Sequence, residues 1–137
     1  MRRASVALWL RLAHVFRKVD RVMMDQLRSQ ELSLAQFDVL AQVGRREGLS
    51  QQEVADALLV TKGNVCQLLD RMERAGLLQR QQEGRTNRLF LTEAGRQLYA
   101  TAVPAHEALI AQQFAALSAT EQAQLRKLLR KLDRALS

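Results

Sequence analysis

The chain has 137 residues, of which 47% are hydrophobic and 26% are charged, and its formal net charge is +7. This apolar content is too high for a disordered chain, and the length fits one globular domain with a hydrophobic core. A positive charge of this size favours an anionic partner such as nucleic acid, although a basic surface can also serve solubility alone.

The single cysteine and the N-terminal segment indicate in which cellular compartment the protein functions. Cys66 is the only cysteine, so no disulfide can form within the chain. The apolar run after Arg2 and Arg3 superficially resembles a signal peptide, but Arg11 and His14 interrupt it. No stretch approaches the ~20 apolar residues of a membrane span. We therefore expect an unprocessed cytoplasmic protein without a membrane segment.

Helical periodicity begins early in the chain. Apolar residues at steps of three and four predict a long first helix from Ser5 to Ser29. This apolar stripe consists of Trp9, Leu12, Phe16, Val19, Met23 and Leu27. Ser33 and Gln36 then have the spacing of a capping box, which predicts a second helix that ends before Gly48. Its buried positions are Phe37, Leu40 and Val43.

Two further helices follow closely. Ser50 and Glu53 repeat the capping-box spacing and start a third, short helix. A fourth helix begins at Thr61 and stops at Gly76, because glycine freely adopts the left-handed conformation. The inward face of the fourth helix carries Val65, Leu68, Leu69 and Met72. With Gln51 as its first position, this pair predicts a helix-turn-helix.

After Gly76 the apolar period changes to two, which predicts a β-hairpin. Leu78 and Arg80 share one side of the first strand, and Leu89 and Leu91 share one side of the second. A polar tip that contains a glycine joins them. A hairpin directly after a helix-turn-helix defines a winged helix.

The C-terminal third predicts two more helices. Thr92 caps a long fifth helix, in which Pro104 should remove one backbone hydrogen bond and introduce a bend. Ser118 and Glu121 form a third capping box at the start of the sixth helix. Its apolar positions have the spacing of a helix that packs against another helix. These positions are Leu125, Leu129, Leu132 and Leu136. The predicted fold is therefore mainly α with a small β-hairpin.

The fourth helix carries side chains suited to base edges in a DNA major groove. Lys62 can donate to guanine, while Asn64 and Gln67 have the paired donor and acceptor that suit adenine. Gly63 permits close approach of the backbone. The predicted contacts around the helix-turn-helix are Gln51, Thr61, Lys62, Gly63, Asn64, Gln67 and Arg71. An ordinary polar helix surface is the alternative.

The hairpin tip is also basic. Arg85 and Arg88 flank a Thr-Asn pair, and an arginine on a narrow hairpin can enter the minor groove without reading much sequence. We therefore predict that both arginines contact DNA. Glu83, two residues before Arg85, is placed to orient that guanidinium. A solvated turn with incidental charges is the alternative.

Three segments carry a family resemblance. In chain order they are "LSLAQFDVLAQV", "LSQQEVADALLVTKGNVCQLLDRMERAGLLQR" and "EGRTNRLFLTEAGRQL". Together they resemble the MarR family of bacterial winged-helix regulators over roughly Ser33 to Leu98. The long flanking helices are similar to that family's all-helical dimerisation region. One departure is Glu83-x-Arg85, where the family's wing usually carries Asp-x-Arg.

The resemblance implies one domain over 1–137, with dimerisation helices at 1–32 and 96–137 and a winged helix at 33–95. It also implies a homodimer that binds a near-palindromic operator in double-stranded DNA, with half-sites ~34 Å apart. The implied activity is a sequence-specific transcriptional regulator, a repressor that a small-molecule ligand releases.

Members of this family often bind small aromatic or phenolic acids between the dimerisation region and the winged helix. Trp9, His14 and Arg17 lie on the helix that would border such a ligand site, although a lone His or Trp on an apolar stripe also suits a core position. Some relatives instead sense oxidants through cysteine. Cys66 lies beside the inward face of the fourth helix, so a small semi-buried residue is the favoured interpretation.

Motifs of enzymes and metal sites are missing from the sequence. There is no G-x-S-x-G, no G-x-x-x-x-G-K and no H-E-x-x-H, and two distant histidines with one cysteine make no zinc site. We expect no catalytic activity and no cofactor. The main alternative function is a winged helix that binds protein or RNA without recognising an operator, because a fold does not determine a function.

Overall fold

A computed structural model of the chain describes residues 1–58 and 62–136. In chain order the elements are α1 (Arg2–Ser29), α2 (Leu34–Arg45), α3 (Gln51–Leu58), α4 (Lys62–Arg74), β1 (Leu78–Glu83), β2 (Thr86–Leu91), α5 (Glu93–Gln113) and α6 (Ala119–Ala135). The predicted mainly α fold with one hairpin is confirmed. None of the described helices has the apolar length to cross a membrane.

Capping boxes fix where three of the helices begin, and the Thr92 side chain, as predicted, caps α5 by accepting from the Gly95 N–H at 3.0 Å. At α2, the Gln36 backbone N–H donates to Ser33 Oγ at 3.1 Å, and the Ser33 N–H donates to the Gln36 side chain at 3.0 Å. The same reciprocal bonds join Ser50 and Glu53 at α3, at 3.0 and 3.3 Å, and a third pair starts α6. All three predicted capping boxes are confirmed, and each satisfies backbone donors that the first helical turn leaves unpaired. The predicted cap of α4, Thr61, lies outside the described residues.

The hairpin is tighter than the sequence predicts. Strands β1 and β2 pair in antiparallel register from Leu78↔Leu91 to Glu83↔Thr86. The turn therefore consists of Gly84 and Arg85 alone, and Gly84 has a φ of 62°, which favours glycine. The polar residues expected in a longer tip instead continue the ladder, because backbone pairing does not require apolar side chains on the solvent face.

A short extended segment between α2 and α3 adds to the sheet edge. The Leu89 N–H donates to the Leu49 carbonyl, and the Gly48 N–H donates to the Leu89 carbonyl, both at 2.8 Å. An isolated bridge joins Ser50 to Arg88. The sequence did not predict this pairing, since three residues are too few to display a strand period.

The core lies between the C-terminal half of α1, α2, α3, α4, the hairpin and α5. Its most buried side chains include Leu27, Leu40, Val54, Val65, Leu69, Met72, Leu78 and Leu89. Two glycines permit close packing: a Cβ at Gly44 would overlap the Tyr99 ring, and a Cβ at Gly95 would lie 1.9 Å from the Leu77 carbonyl oxygen. Pro104 lies within α5, which is continuous from Glu93 to Gln113.

The predicted stripe of α1 divides into two halves. Leu27 is 1% exposed and Met23 is also buried, whereas Trp9 is 64% exposed and Phe16 is similarly open to solvent. Every described residue of α6 is exposed, as is Leu136 directly after it, so all four leucines of the predicted packing face are open to solvent. The two ends of the chain therefore extend from the core with their apolar faces open.

Candidate nucleic-acid interface

Helix α4 separates an apolar inner face from a polar outer face. Val65, Leu69 and Met72 are fully buried, and Leu68 packs against the same core. The outer face presents Asn64, Gln67 and Arg71, which are exposed. These three recur at steps of three and four and thus form one row along the helix. Lys62 and Gly63 belong to the first turn of α4.

Gln51 is an exception among the predicted DNA contacts. It is the first residue of α3, but only 8% of the residue is exposed, and its Oε1 has no hydrogen-bond partner within the described part of the chain. The neighbouring Ser50 joins the wing strand through Arg88, which holds the start of α3 against the sheet. Gln51 is thus buried in this chain, and its contact with DNA stays a prediction.

Arg80 joins α4 to the first wing strand. Its guanidinium pairs with Asp70 and with Glu73 Oε1, the latter at 3.2 Å, and its backbone N–H donates to Glu73 Oε2 at 3.1 Å. The Arg80 side chain is 17% exposed. Burial disfavours the charge on this guanidinium, but the two carboxylates outweigh that effect and raise its pKa.

The Arg80 ion pairs were not predicted. The available signal is an arginine at an inward-facing strand position, directly after a helix with acids three residues apart. Because α4 and β1 are fixed together by this side chain, the outer face of α4 has a defined orientation relative to the wing. Arg80 Nη1 also lies 4.0 Å from the Cys66 sulfur, and Cys66 is a partly buried free thiol.

Arg88 lies on the face of β2 opposite the buried Leu89 and Leu91, and it bonds to the protein itself. Its Nε donates to Glu83 Oε2 at 2.9 Å, and its Nη1 donates to the Gly48 carbonyl at 3.0 Å. The side chain is therefore partly engaged by the protein itself. These bonds connect both wing strands to the short segment before α3.

The predicted pairing of Glu83 with Arg85 is wrong. Glu83 is opposite Thr86 in the ladder, so Arg88 is its diagonal neighbour on the same face, within reach of long side chains. Arg85 instead occupies the second turn position, beyond the ladder. It is exposed, and its guanidinium forms no ion pair with the residues at 1–58 and 62–136. Arg85 therefore projects from the tip without a buttressing acid.

Glu47 links the wing to α5. Its Oε1 accepts a hydrogen bond from the Leu91 N–H at 2.9 Å, and both carboxylate oxygens lie 3.3–3.4 Å from Arg96. Because Glu47 follows α2 and Arg96 lies in the first turn of α5, one acid fixes three elements around the end of the wing. No periodic signal in the sequence predicts this contact, which joins residues 49 positions apart.

A joint between the long helices and the winged helix forms around His106. The His106 and Phe37 rings lie 4.2 Å apart, and Gln26 of α1 donates to the Ala105 carbonyl at 3.2 Å. Burial lowers the pKa of His106, against the smaller opposing effects of Asp38 and a second acid on α5. Burial also raises the pKa of Asp38. Both shifts favour the neutral forms at this joint.

The predicted ligand-binding residues Trp9, His14 and Arg17 lie on the first half of α1. All three are exposed. At 3.6 residues per turn, they span an arc of about 140° around the helix, so Trp9 belongs to the apolar stripe and the other two lie beside it. Within the described part of the chain, no group of three or more His, Cys, Asp or Glu side chains is arranged to hold a metal ion.

Sequence comparisons place the chain among known regulators. A model of the MarR family matches residues 30–88. A helix-turn-helix-type transcriptional regulator of Bacillus cereus strain ZK is 34% identical over 97 residues, and the match covers 71% of this chain but 66% of that protein's length. YkoM of Bacillus subtilis strain 168, another regulator of this type, is 31% identical over 122 residues, covering 87% of this chain and 79% of YkoM.

Solved structures share the fold. FabT of Streptococcus pneumoniae, solved in complex with DNA, has a TM-score of 0.84 at 24% identity, over 96% of each chain. PcaV of Streptomyces coelicolor, solved with its natural ligand, has a TM-score of 0.74 at 23% identity, over 91% of this chain and 93% of PcaV. With the helix-turn-helix, the wing and the long terminal helices all present, the chain belongs to the MarR family of winged-helix transcriptional regulators.

Proposed function

We propose that the protein is a homodimeric transcriptional regulator that recognises a near-palindromic site in double-stranded DNA, in the cytoplasm. One observation carries this proposal: the exposed polar row of α4 and the exposed Arg85 tip belong to one rigid unit. Asn64 and Gln67 are exposed while the opposite face of α4 is buried. A helix presented in this way has the diameter and the side chains to enter a major groove.

Each part of the unit has its own role in the proposed complex. Asn64 and Gln67 read base edges, and Arg71 binds the phosphate backbone farther along α4. We assign Lys62 and Gly63, in the first turn of α4, to the same groove, together with Thr61, which precedes them in the sequence. Arg85 enters the adjacent minor groove, where the negative potential is strongest. Arg88, Glu83 and Arg80 position these contacts. FabT, of the same fold, has been solved with DNA.

We infer a homodimer from the two open apolar faces. The first half of α1 exposes Val6, Leu8, Trp9, Leu10, Leu12, Val15 and Phe16, and α6 exposes Leu125, Leu128, Leu129, Leu132 and Leu136. Burying one large apolar side chain contributes ~1.5–3 kcal/mol. Association costs ~4–15 kcal/mol, so burying even half of these side chains from two copies is sufficient.

We also propose that a small aromatic or phenolic ligand releases this regulator from its operator, as a repressor. Trp9 supplies an aromatic surface, and Arg17 and His14 supply donors for an acid group on the same helix. PcaV, which shares the fold, has been solved with its natural ligand. A ligand between α1 and the winged helix would change the spacing of the two α4 helices and thereby weaken binding to a two-part site.

Selection of bound duplexes from a random pool tests the proposed function. We expect an inverted repeat with half-sites ~34 Å apart. Arg85→Ala should weaken binding to all duplexes, whereas Asn64→Ala should reduce discrimination by ~1–3 kcal/mol at one base pair. Gln112→Ala, exposed at the far end of α5, is the matched control. Recovery of no common sequence, or equal binding to selected and scrambled duplexes, would favour a protein-binding or RNA-binding module instead.

A further inference from the structure

The positive charge of the chain does not lie on the winged helix. Residues 33–95 contain eight Arg or Lys and eight Asp or Glu, so their net charge is zero. The whole excess of +7 belongs to the flanking segments, with +4 in 1–32 and +3 in 96–137. A protein that used its net charge only at the operator would carry that charge on the winged helix, yet here it is concentrated elsewhere.

Helix α6 has a compact basic face. Five cations lie within nine residues, and the same stretch contains one acid, Asp133. The cations are Arg126, Lys127, Arg130, Lys131 and Arg134, and all are exposed. At about 100° per residue they fill an arc of about 140°, and they extend ~12 Å along the helix.

The leucines of α6 occupy the opposite face. The centre of the Leu125, Leu128, Leu129, Leu132 and Leu136 cluster lies about 180° around the helix from the centre of the cations. If the leucines are buried between two copies of the chain, the basic faces must point outward. Each dimer then presents two of them.

This basic face follows the far end of α5 in the chain, with the wing at the other end of that helix. Helix α5 runs from the end of the wing to the start of α6, and its 21 residues correspond to ~30 Å. A duplex bound by α4 and Arg85 therefore leaves the α6 face available.

We propose that the basic face of α6 binds the phosphate backbone of a second DNA duplex, without sequence preference, while the winged helices hold the operator. This inference rests on the proposed function. Arginine and lysine bind phosphates by releasing condensed counterions, which needs no base contacts. Two such faces on one dimer would join an operator to a distant segment of DNA, because the second contact gains from a high effective concentration.

Charge and geometry favour DNA over an anionic membrane. An amphipathic helix binds a membrane by inserting its apolar face, with the basic face directed at the lipid headgroups. In α6 the apolar face is the one expected to be buried between subunits, so the helix would have to leave the dimer to insert. Contact through the cations alone suits a polyphosphate surface.

The test uses the full-length protein and a variant of α6. The variant carries Arg126→Gln, Lys127→Gln, Arg130→Gln and Lys131→Gln. Glutamine favours the helix almost as well as lysine and arginine, and the leucine face is unchanged. The control variant removes the same charge from α1, with Arg2→Gln, Arg3→Gln, Arg11→Gln and Arg21→Gln. Circular dichroism and sedimentation equilibrium verify the fold and the oligomeric state of each variant, and a third variant with Arg126→Lys and Arg130→Lys retains the charge.

Each protein is loaded on an immobilised operator duplex, and a labelled duplex of scrambled sequence is then added at several salt concentrations. We expect the wild type, the α1 variant and the lysine variant to capture the labelled duplex. The α6 variant should bind the operator as the wild type does but should capture the second duplex at least about tenfold more weakly. Its slope of log affinity against log salt should fall by about 0.9 for each phosphate that the variant no longer neutralises.

Three results would overturn the proposal. The first is that the wild type does not capture the labelled duplex. The second is that the α6 and α1 variants lose capture to the same extent. The third is that the α6 cations are needed for binding to phosphatidylserine vesicles and not for binding to the duplex. If no operator can be selected, the winged-helix variant Asn64→Ala, Gln67→Ala, Arg85→Ala is mixed directly with scrambled duplex. Residual binding that still depends on the α6 cations would then support the α6 surface even though the proposed operator function had failed.

Discussion

The winged helix and the terminal helices differ in how far their apolar side chains are buried and how their charges are paired. Between 33 and 95 the apolar side chains contribute to one core, acids equal bases in number, and both Arg80 and Arg88 have carboxylate partners. In α6, leucines and cations are exposed on opposite faces, and in the first half of α1 large apolar side chains are exposed among the cations. The core of the winged helix also takes in Leu27, Leu32 and Ala102 from the flanking segments, whereas the first half of α1 and α6 leave their apolar faces open.

Disrupting the leucine face should produce the largest difference between the two regions. In the variant Leu129→Glu, Leu132→Glu, four carboxylates would enter the proposed dimer interface, and an unpaired buried charge costs several kcal/mol. We expect a monomer by sedimentation equilibrium and at least about a hundredfold loss of operator affinity, since a single winged helix contacts one half-site. The control, Lys127→Glu with Lys131→Glu, places the same residues on the opposite face and should remain a dimer. A dimeric leucine variant would contradict the proposed interface.

Truncating one leucine in each region gives the next largest effect. Leu69 of α4 is fully buried in the core, whereas Leu128 of α6 is exposed within its chain. Leu69→Ala should lower the free energy of unfolding by about 2–5 kcal/mol at any protein concentration. Leu128→Ala should lower stability in a manner that depends on concentration, because it acts on the dimer. Urea denaturation at two protein concentrations separates the two outcomes. If the stability losses of both variants depended equally on protein concentration, the proposed difference between the two regions would be contradicted.

Replacing an arginine that forms ion pairs should cost more stability than replacing an exposed arginine of α6. Arg80→Gln leaves Asp70 and Glu73 without their shared cation, and hydrogen bonds between charged groups contribute about 1.5–3 kcal/mol each before exposure of the acids is considered. We expect a loss of about 1–2 kcal/mol of stability, a partial recovery in Arg80→Lys, and weaker binding to the selected operator. Arg130→Gln in α6 is the matched control and should leave the free energy of unfolding unchanged within about 0.5 kcal/mol.

The joint between the regions should respond weakly to pH. Burial lowers the pKa of His106 in the folded chain, so the unfolded chain binds a proton more readily as the pH falls through about 6.5. The urea midpoint should therefore decrease between about pH 7 and pH 5.5. Asp38, whose pKa is raised, acts in the opposite sense but nearer its usual value of 3.8. His106→Gln should flatten the profile over this window, and His14→Gln, on the exposed half of α1, should not.

Local signals in the sequence were sufficient to predict most of the fold. The three capping boxes, the glycine after α4 and the change of period at Leu78 each depend on residues close together in the chain, and all are confirmed. The length of the hairpin turn was not predictable, because polar residues can extend a ladder or form a loop. The segment at Gly48 to Ser50 was missed because pairing with a distant strand leaves no local period.

The candidate site was predicted less completely. The exposed row of α4 followed from helical spacing, since four apolar positions fixed which face turned inward. Partners that depend on three-dimensional register did not follow. Arg85 lies two residues after Glu83 in the sequence, but Arg88 is the arginine that Glu83 pairs with in space. The burial of Gln51, next to the residue that bridges to Arg88, also left no local signal.

The segment 48–50 at the edge of the wing affects how the protein would recognise DNA. Because Leu89 exchanges hydrogen bonds with this segment, and Arg88 reaches the Gly48 carbonyl, the wing is anchored to the start of α3 before any duplex arrives. The conformational entropy of the hairpin is then lost during folding and not during recognition. During a search along DNA the backbone of the wing would therefore keep its conformation, and the side chain of Arg85 would be the part that adjusts.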